Sequence, residues 1–436
     1  MTVAYENGTN GTNGAKGANG AKAPQEAFVD VSSAIATSTN LPDLVPALLE
    51  KVATSGKAFI SNDRKARTDL LDAARALVYA TETPREAMIR IAWSQSTLYA
   101  CIEAGVDMGL FTALSKDDKP KNASSLAGAV SAEPKMLARI LKHLCAMGVV
   151  LETGPDEYCR TGFSISLMSE RFSDAYPCIT DCITNGVMAL PKHLRKTNLR
   201  NPTDGTDCAF QLGYDTKDHF FEFLGTHPIA AKQFNNHMSA YHQGRPSWMD
   251  TGFYDVPGLA ERATEDNCVL IVDMGGSLGH DLSELRRKWP HVPGRFVLQD
   301  LPAVIQQAQT MSLHRSIEPM EHDFFTEQPI KGARAYYMHS VLHDWPDEKC
   351  IEILKNIVPA MKPGYSKILI NENVIPETNA YWETTSLDII MMSDFASSER
   401  TAGNWHSLVE AAGLKISKIW TVQRGVESLI ECELSE

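Results

Sequence analysis

The sequence lacks a long apolar run. No stretch approaches the length needed to cross a bilayer, and no apolar core of a secretory signal stands near the N-terminus. A basic excess is missing too: the formal net charge is -13, whereas a nonspecific nucleic-acid binder needs a basic surface. We therefore expect a cytoplasmic protein whose partners include neither a membrane nor a nucleic acid. Hydrophobic residues make up 43% of the 436 positions, which is ordinary for a globular protein.

Cysteines at metal-ligand spacing are also missing. The nine cysteines are scattered along the chain. Cys178 and Cys182 are the closest pair, and neither a second pair nor a histidine follows at the spacing of a zinc site. We therefore expect free thiols and no bound metal.

The N-terminal part of the chain favours helices after a polar tail. Residues 1–25 repeat Asn-Gly, Gly-Ala and Ala-Lys, so we expect a disordered tail there. Two amphipathic helices are predicted between Leu41 and Tyr79, and a longer helix is predicted to begin at Pro84. Residues 124–163 then have the pattern of two helices and a hairpin, which is typical of a winged helix.

A winged helix raises the alternative of a DNA-binding regulator. The predicted wing is acidic, with Glu152, Asp156 and Glu157, and would meet phosphates unfavourably. We therefore interpret residues 26–175 as a helical, winged-helix dimerisation domain, and we expect a homodimer. Residues 176–250 are rich in Met, His and Phe, and they are predicted to form a helical linker that contributes to a small-molecule pocket.

The most informative segment is a glycine-rich turn after an apolar strand. Val269–Val272 is uninterrupted by polar residues, as in a parallel strand buried on both faces. Three closely spaced glycines follow: Gly275, Gly276 and Gly279. They permit backbone conformations and a close ligand approach that side chains would block. A second apolar strand ends in Asp300, about 20 residues beyond the last glycine, where a carboxylate usually holds ribose hydroxyls. Segment 251–436 is therefore predicted to be an α/β, Rossmann-like catalytic domain.

The turn also narrows the choice of ligand. Met274 occupies the first position of a strict dinucleotide fingerprint, so the pyrophosphate-binding pattern is broken. Asp273 at the strand end suits a cationic amino-acid ligand and would repel phosphates. S-adenosylmethionine carries a sulfonium and an ammonium and no phosphate, so we predict it as the cofactor rather than NAD or FAD.

Two later segments add candidate site residues. In Glu321-His-Asp-Phe-Phe, Asp323 can accept a hydrogen bond from the adenine amino group, and Phe324 can pack on the ring. His343 follows a predicted strand and precedes Asp344-Trp-Pro, at the sheet edge where ligands of open α/β folds bind.

Several motifs in the same order resemble the metal-independent, S-adenosylmethionine-dependent O-methyltransferases of the plant caffeate type and their fungal natural-product relatives. They are Asp273-Met-Gly-Gly-Ser-Leu-Gly279, Asp300-Leu301-Pro, Asp323-Phe-Phe, Leu342-His-Asp-Trp-Pro-Asp-Glu348, Met361-Lys-Pro-Gly364 and Glu399-Arg-Thr401. The resemblance covers about residues 85–436. It implies that the glycine turn and Asp300-Leu301 hold the cofactor, and that Asp323 and Phe324 hold its adenine.

The resemblance also implies catalytic roles. His343 is the expected general base, flanked by Glu372 and Glu399. Ser277 stands where the family commonly has a glycine, and His339 stands where plant members commonly have a lysine that contacts the cofactor. An imidazole is a plausible proton acceptor for a phenol, and a neighbouring carboxylate would orient it and stabilise the imidazolium.

The expected reaction is methyl transfer to a hydroxyl of an aromatic or polyketide-like small molecule. Met391, Met392 and Phe395 offer adaptable apolar side chains for the acceptor, as does Met238 in the linker. Some fungal relatives of this family keep the cofactor while they catalyse a pericyclisation or another reaction without methyl transfer. A cofactor-retaining pericyclase or lyase is therefore the alternative.

Overall fold

The computed structural model describes residues 33–61, 64–241, 244–261, 263, 268–310 and 313–435. The predicted tail, residues 1–25, lies outside these ranges. The chain divides into two compact units, Met1–Leu98 and Tyr99–Glu436. None of the described helices combines the length and the apolarity that a membrane span requires.

The first unit is helical. Its helices cover Ser33–Thr37, Val45–Ile60, Arg64–Thr81 and Pro84–Ile89, and a wider π turn follows over Arg90–Ser94. The helix at Pro84 begins with a capping box, in which the Thr83 side chain and the Glu86 side chain each bond the other's backbone N–H. Several large apolar side chains of this unit are exposed, among them Ile60, Trp93, Ile91 and Met88.

The helix–turn–helix and hairpin of the second unit agree with the prediction. After helix Gln95–Asp107, whose first turn belongs to the first unit, helices cover Leu110–Leu114, Ala123–Val130 and Pro134–Ala146. The antiparallel strands β1 (Leu151–Gly154) and β2 (Glu157–Cys159) follow. Asn122 caps one helix, and Glu133 caps the next by accepting the N–H groups of Lys135 and Met136. That second helix buries Leu137, Leu141 and Leu144, so its apolar face is used for packing.

The predicted linker is a set of helices that packs against both of its neighbours. The helices of residues 176–250 are Ala175–Cys182, Thr184–Lys196, Ala209–Tyr214, Phe220–Thr226 and Pro228–Tyr241. Helices Gly162–Ser166 and Glu170–Ser173 precede this segment, and helix Val256–Glu261 follows it. Thr180 donates a hydrogen bond to Glu103 at 2.8 Å, and the rings of Phe220 and Phe395 lie 4.4 Å apart. These contacts lie within the compact unit from Tyr99 onward, and the boundaries near residues 176 and 251 stay a prediction.

A seven-stranded sheet forms the rest of the second unit. Its strands are β3 (Val269–Met274), β4 (Arg295–Asp300), β5 (Ile317–Glu321), β6 (Ala335–His339), β7 (Lys367–Glu372), β10 (Leu414–Trp420) and β11 (Ser428–Leu434). The order is β10-β11-β7-β6-β3-β4-β5. The five strands from β7 to β5 are parallel, and β11 runs antiparallel to both β7 and β10. The short strands β8 (Val374–Ile375) and β9 (Arg400–Thr401) pair beside this sheet.

Helices cover the seven-stranded sheet. The order of its strands creates a crevice in which a ligand can bind. The helices are His280–Lys288, Pro302–Thr310, Asp347–Ile357, Trp382–Ile390 and Ala402–Ala411, with a π turn over Met391–Phe395. The chain passes from β3 to β4 on one side and returns to β6 on the other. In open α/β sheets, ligands bind at such a reversal, outside the carboxyl ends of the strands. The site therefore belongs at the ends of β3, β4, β6 and β7.

Candidate active site

The glycine turn closes tightly on the end of β3. Gly275 and Gly279 have φ values of +71° and +76°, conformations that favour glycine. The N–H groups of Gly275 and Gly276 donate to the Gln299 carbonyl on β4 at 2.9 and 3.1 Å. A Cβ on Gly276 would lie 2.5 Å from the Asp273 carboxyl group and 2.6 Å from Leu298. Glycine is therefore required at position 276.

Asp300 is fixed beside this turn. Its Oδ2 accepts the Ser277 N–H at 2.8 Å, and its Oδ1 accepts the Leu301 N–H at 2.7 Å. Burial raises the pKa of Asp300. The predicted pair Asp300-Leu301 thus lies at the end of β4 and is joined to the glycine turn by hydrogen bonds.

Asp323 and Phe324 follow β5 on the same side of the turn. Asp323 is exposed, and its Oδ1 accepts the Phe325 N–H at 2.9 Å. The Phe324 ring packs against Phe325 and lies 3.6 Å from where a Cβ on Gly275 would be. An exposed carboxylate and a half-buried ring beside a glycine turn suit a planar base that carries an amino group.

Asp273 fits a cationic ligand group. It is 1% exposed, and its Oδ2 accepts no hydrogen bond from the described residues. Burial and then the nearby Asp281 carboxylate raise the pKa of Asp273 well above its usual range. A buried acceptor without a donor is costly, and a ligand cation would satisfy it. These features suit the cofactor predicted from the sequence.

His339 at the end of β6 forms an ion pair that the sequence analysis did not anticipate. Its Nδ1 lies 2.7 Å from Asp281 Oδ2, and the Tyr337 hydroxyl donates to the same oxygen at 2.6 Å. Trp248 Nε1 in turn donates to the Tyr337 hydroxyl at 3.0 Å. Asp281 lies two residues after Gly279, and its place in the first turn of a helix was the one available signal.

His343 and Glu399 form a buried pair at the centre of the site. His343 Nδ1 lies 2.7 Å from Glu399 Oε1, and the two residues are 8% and 6% exposed. The Glu399 N–H donates to Asp388, which holds this segment in place. The ring's other nitrogen, Nε2, points away from Glu399 and lies 3.5 Å from Asp344 Oδ1. The prediction that Glu399 adjoins the histidine agrees with this geometry.

Glu372 supports the same histidine from the end of β7. Its Oε1 accepts the N–H groups of Val341, Leu342 and His343 at 3.0, 2.9 and 3.3 Å. Its Oε2 accepts no hydrogen bond from the described residues and lies 3.8 Å from His343 Nδ1. Glu372 thus fixes the backbone that carries His343 and adds a negative charge beneath the ring.

The pKa values of His343 and Asp344 are both shifted upward in this site. Burial alone would lower the pKa of His343, but the carboxylates of Glu372, Asp344 and Glu399 outweigh it and raise this pKa well above its ordinary value. Burial raises the pKa of Asp344 to about 7. A ligand cation beside the ring would lower the pKa of His343 and favour its release of a proton.

Arg400 secures the loop around His343, a role that its place in the motif Glu399-Arg-Thr401 did not reveal. The arginine is 2% exposed, and it donates to the carbonyls of Leu342 and Trp345 and to the Asp347 carboxylate. These partners lie on both sides of His343 in the chain. Arg400 directly follows Glu399, so one short segment supplies both the partner of the histidine and the clamp on its loop.

The residues predicted to contact the methyl acceptor lie in the π turn Met391–Phe395 and on helix Pro228–Tyr241. Met391 and Phe395 are 4% and 2% exposed and pack in an aromatic cluster with Phe210 and Phe220. Met392 is half-buried in the same π turn, and Met238 is half-buried on helix Pro228–Tyr241. An apolar cavity of about 590 Å³ adjoins this turn, with lining residues that include Ile183, Ile389 and Ile390.

Three side chains at His343 are close enough together to serve as ligands of one metal ion. Ligand atoms of His343, Glu372 and Glu399 lie within 4.8 Å of one another. The short bond from His343 Nδ1 to Glu399, and the three backbone donors on Glu372, already engage these groups. The expectation that the protein binds no metal stays a prediction.

Comparison with known proteins identifies the family. The family model described as the O-methyltransferase domain matches residues 259–415, and the O-methyltransferase dimerisation domain matches residues 94–173. The O-methyltransferase mpaG' of Penicillium brevicompactum is 35% identical over 393 residues, which cover 89% of this chain and 98% of that protein. The chain belongs to the O-methyltransferase family. A demethylsterigmatocystin 6-O-methyltransferase of Aspergillus flavus is 37% identical over 324 residues, 74% of this chain and 82% of that protein.

Solved structures agree with this fold. The structure of LepI in complex with S-adenosylmethionine matches with a TM-score of 0.82 and 30% identity, over 89% of this chain and 99% of that one. A structure described as a pericyclic reaction enzyme matches with a TM-score of 0.81 and 31% identity, over 90% of this chain and 100% of that one. The enzyme is an S-adenosylmethionine-dependent O-methyltransferase with a Rossmann-like domain and a helical dimerisation domain.

Proposed function

We propose that the enzyme transfers a methyl group to a hydroxyl of an aromatic or polyketide-like metabolite, with His343 as the general base. The observation that carries this proposal is the buried bond of 2.7 Å between His343 Nδ1 and Glu399 Oε1, at the edge of the sheet that holds the glycine turn. A histidine oriented by a carboxylate in this way is the arrangement that accepts a proton during nucleophilic attack.

The residues that would hold the cofactor follow the strand order. Asp300-Leu301 on β4 suits the ribose, and Asp323 and Phe324 beyond β5 suit the adenine. On the other side of the glycine turn lie Asp273 and His339, followed by His343 after β6. The amino-acid end of the cofactor therefore belongs on the β6 side, where the base is. When bound, the cofactor supplies an electrophilic methyl group on a sulfonium.

His343 performs the proton transfer. Glu399 accepts the Nδ1–H, so Nε2 is the nitrogen that takes the proton from the acceptor hydroxyl. A phenol has a pKa near about 10, so little phenolate exists at neutral pH without a base. Glu399 and Glu372 then stabilise the imidazolium, and Arg400 keeps the His343 loop from shifting.

The acceptor class is supported by the surroundings of the base. The His219 and Trp345 rings stack at 5.0 Å, and Phe221 lies between Trp345 and Phe395, at 6.4 and 5.8 Å. These rings form an apolar wall that begins two residues after His343. Met391, Met392, Phe395 and Met238 are proposed to complete it. Flat, apolar acceptors suit such a wall.

Mass spectrometry of reactions with methyl-labelled cofactor and phenolic acceptors tests the reaction. The proposal predicts a product that gains one labelled methyl group, with an equal amount of S-adenosylhomocysteine released. A second candidate, a pericyclic reaction that retains the cofactor, is favoured by the likeness to a pericyclic reaction enzyme. A converted product of unchanged mass, with no S-adenosylhomocysteine, would select that candidate.

We also propose that the enzyme is a homodimer. The match to a dimerisation domain over residues 94–173 and the exposed apolar side chains of the first unit, such as Ile60 and Trp93, support it. Multi-angle light scattering at micromolar concentration should give twice the chain mass of 48.0 kDa. A monomer mass would contradict the proposal.

A further inference from the structure

A chain of hydrogen bonds links Trp248, Tyr337, Asp281 and His339, apart from the pair formed by His343 and Glu399. It runs from Trp248 Nε1 to the Tyr337 hydroxyl at 3.0 Å, and from there to Asp281 Oδ2 at 2.6 Å. The same oxygen lies 2.7 Å from His339 Nδ1. Trp248 and Tyr337 are buried, and Asp281 is half-buried in the first turn of helix His280–Lys288. A buried chain of this kind fixes both the position and the orientation of the imidazole.

The register of the sheet shows which part of the crevice His339 faces. Asp273 on β3 pairs with Tyr337 on β6, so His339 lies two residues further toward the carboxyl end. Asp300 lies on β4, on the opposite side of β3. His339 is thus beside the end of the crevice that is left for the methionine moiety.

The surroundings of His339 are strongly acidic. Asp281 contacts the ring, and Glu427 and Glu372 add negative charge from neighbouring segments. Asp273 lies across from the ring on β3, and Glu427 is itself paired with Arg245 at 2.7 Å. Burial would lower the pKa of His339, but these carboxylates, Asp281 first, raise it to about 9. An ordinary histidine is mostly neutral at cytoplasmic pH, whereas this one carries a charge.

We propose that Asp281 is a positioning residue, which holds His339 as an imidazolium so that its Nε2–H binds the carboxylate of the cofactor. Nε2 is the ring nitrogen directed away from Asp281. A charged donor is needed there, because the carboxylates nearby would otherwise repel a further anion. Tyr337 and Trp248 keep the Asp281 oxygen aimed at the ring. The inference rests on the proposed cofactor orientation and is independent of whether the methyl group is transferred.

Calorimetric binding of two ligands tests this role without measuring turnover. One ligand is S-adenosylhomocysteine without its α-amino group, which keeps the carboxylate. The other is methylthioadenosine, which lacks both groups. Asp281→Asn should weaken the first ligand about tenfold at neutral pH and change the second by less than about twofold. Glu284→Gln, which removes a carboxylate one turn along the same helix, should change neither affinity.

The pH dependence and a rescue variant complete the test. His339 is charged below its raised pKa, so wild-type binding of the carboxylate ligand should weaken as the pH rises through about 9. In Asp281→Asn this loss should move to lower pH, while methylthioadenosine binding stays flat. The double variant Asp281→Asn/His339→Lys should recover affinity, because lysine carries its own charge.

Three results would overturn the proposal. Equal weakening of both ligands in Asp281→Asn would show a merely structural role. Unchanged or stronger binding of the carboxylate ligand would show that Asp281 does not act through His339. A pH profile identical to the wild type would show the same. Failure of methyl transfer, in contrast, would bear only on the proposed function.

Discussion

Replacing Glu399 by glutamine should slow catalysis while leaving the fold intact. The change keeps the size of the side chain and removes the charge that lies 2.7 Å from His343 Nδ1. A buried hydrogen bond to a charged group contributes about 2–3 kcal/mol, which corresponds to a roughly 30- to 150-fold loss in kcat. Glu372 and Asp344 remain, at 3.8 and 3.5 Å from ring nitrogens, so the loss should stop short of abolition.

The assay is steady-state kinetics over a range of pH. The carboxylates raise the pKa of His343, so removing one lowers it, and the pH limb on which kcat rises should move to lower pH. KM for the acceptor should change little. Glu352→Gln, an exposed glutamate paired with Lys349, is the matched control and should behave like the wild type. A kcat for Glu399→Gln within about threefold of the wild type, with an unmoved pH limb, would refute the reasoning.

Three further predictions follow from the site. Binding of the cationic cofactor should lower the raised pKa of His343 and release up to about one proton more than S-adenosylhomocysteine does, measured by calorimetry in buffers of different ionisation enthalpy; equal release would count against it. Gly276→Ala should weaken cofactor binding at least about tenfold, because its Cβ would meet the Asp273 carboxyl group, and unchanged affinity would contradict this. Arg400→Met should destabilise the fold by about 2–4 kcal/mol in denaturant unfolding, because the hydrogen bonds that the buried guanidinium donates to the Leu342 and Trp345 carbonyls and to Asp347 are lost; a change below about 1 kcal/mol would be inconsistent with the clamp.

Local patterns predicted the parts of the fold that depend on local chemistry. The apolar run before Gly275, the acidic end of β4 and the histidine after β6 each follow from a strand that ends at a turn. The helix–turn–helix was predicted for the same reason, since Pro134 and the buried leucines that follow it mark one amphipathic helix. Each of these features can be predicted from residues that are close to one another in the sequence.

Long-range pairing could not be predicted from the same patterns. The Asp281–His339 pair joins residues 58 positions apart, and Arg400 bonds Leu342 across the same number of positions. Nothing in either local sequence specifies the partner, because strand order and register bring them together. The burial of Met391 and Phe395 in an aromatic cluster also depends on distant helices, which no local sequence pattern specifies.

The most direct test of the account compares His343→Ala with the wild type in methyl transfer from labelled cofactor to a phenolic acceptor. The account predicts that the wild type releases one S-adenosylhomocysteine for each labelled methyl group in the product. The variant should bind the cofactor and lose at least about a hundredfold in kcat, because no base accepts the proton. Transfer at the full rate by His343→Ala would contradict the account.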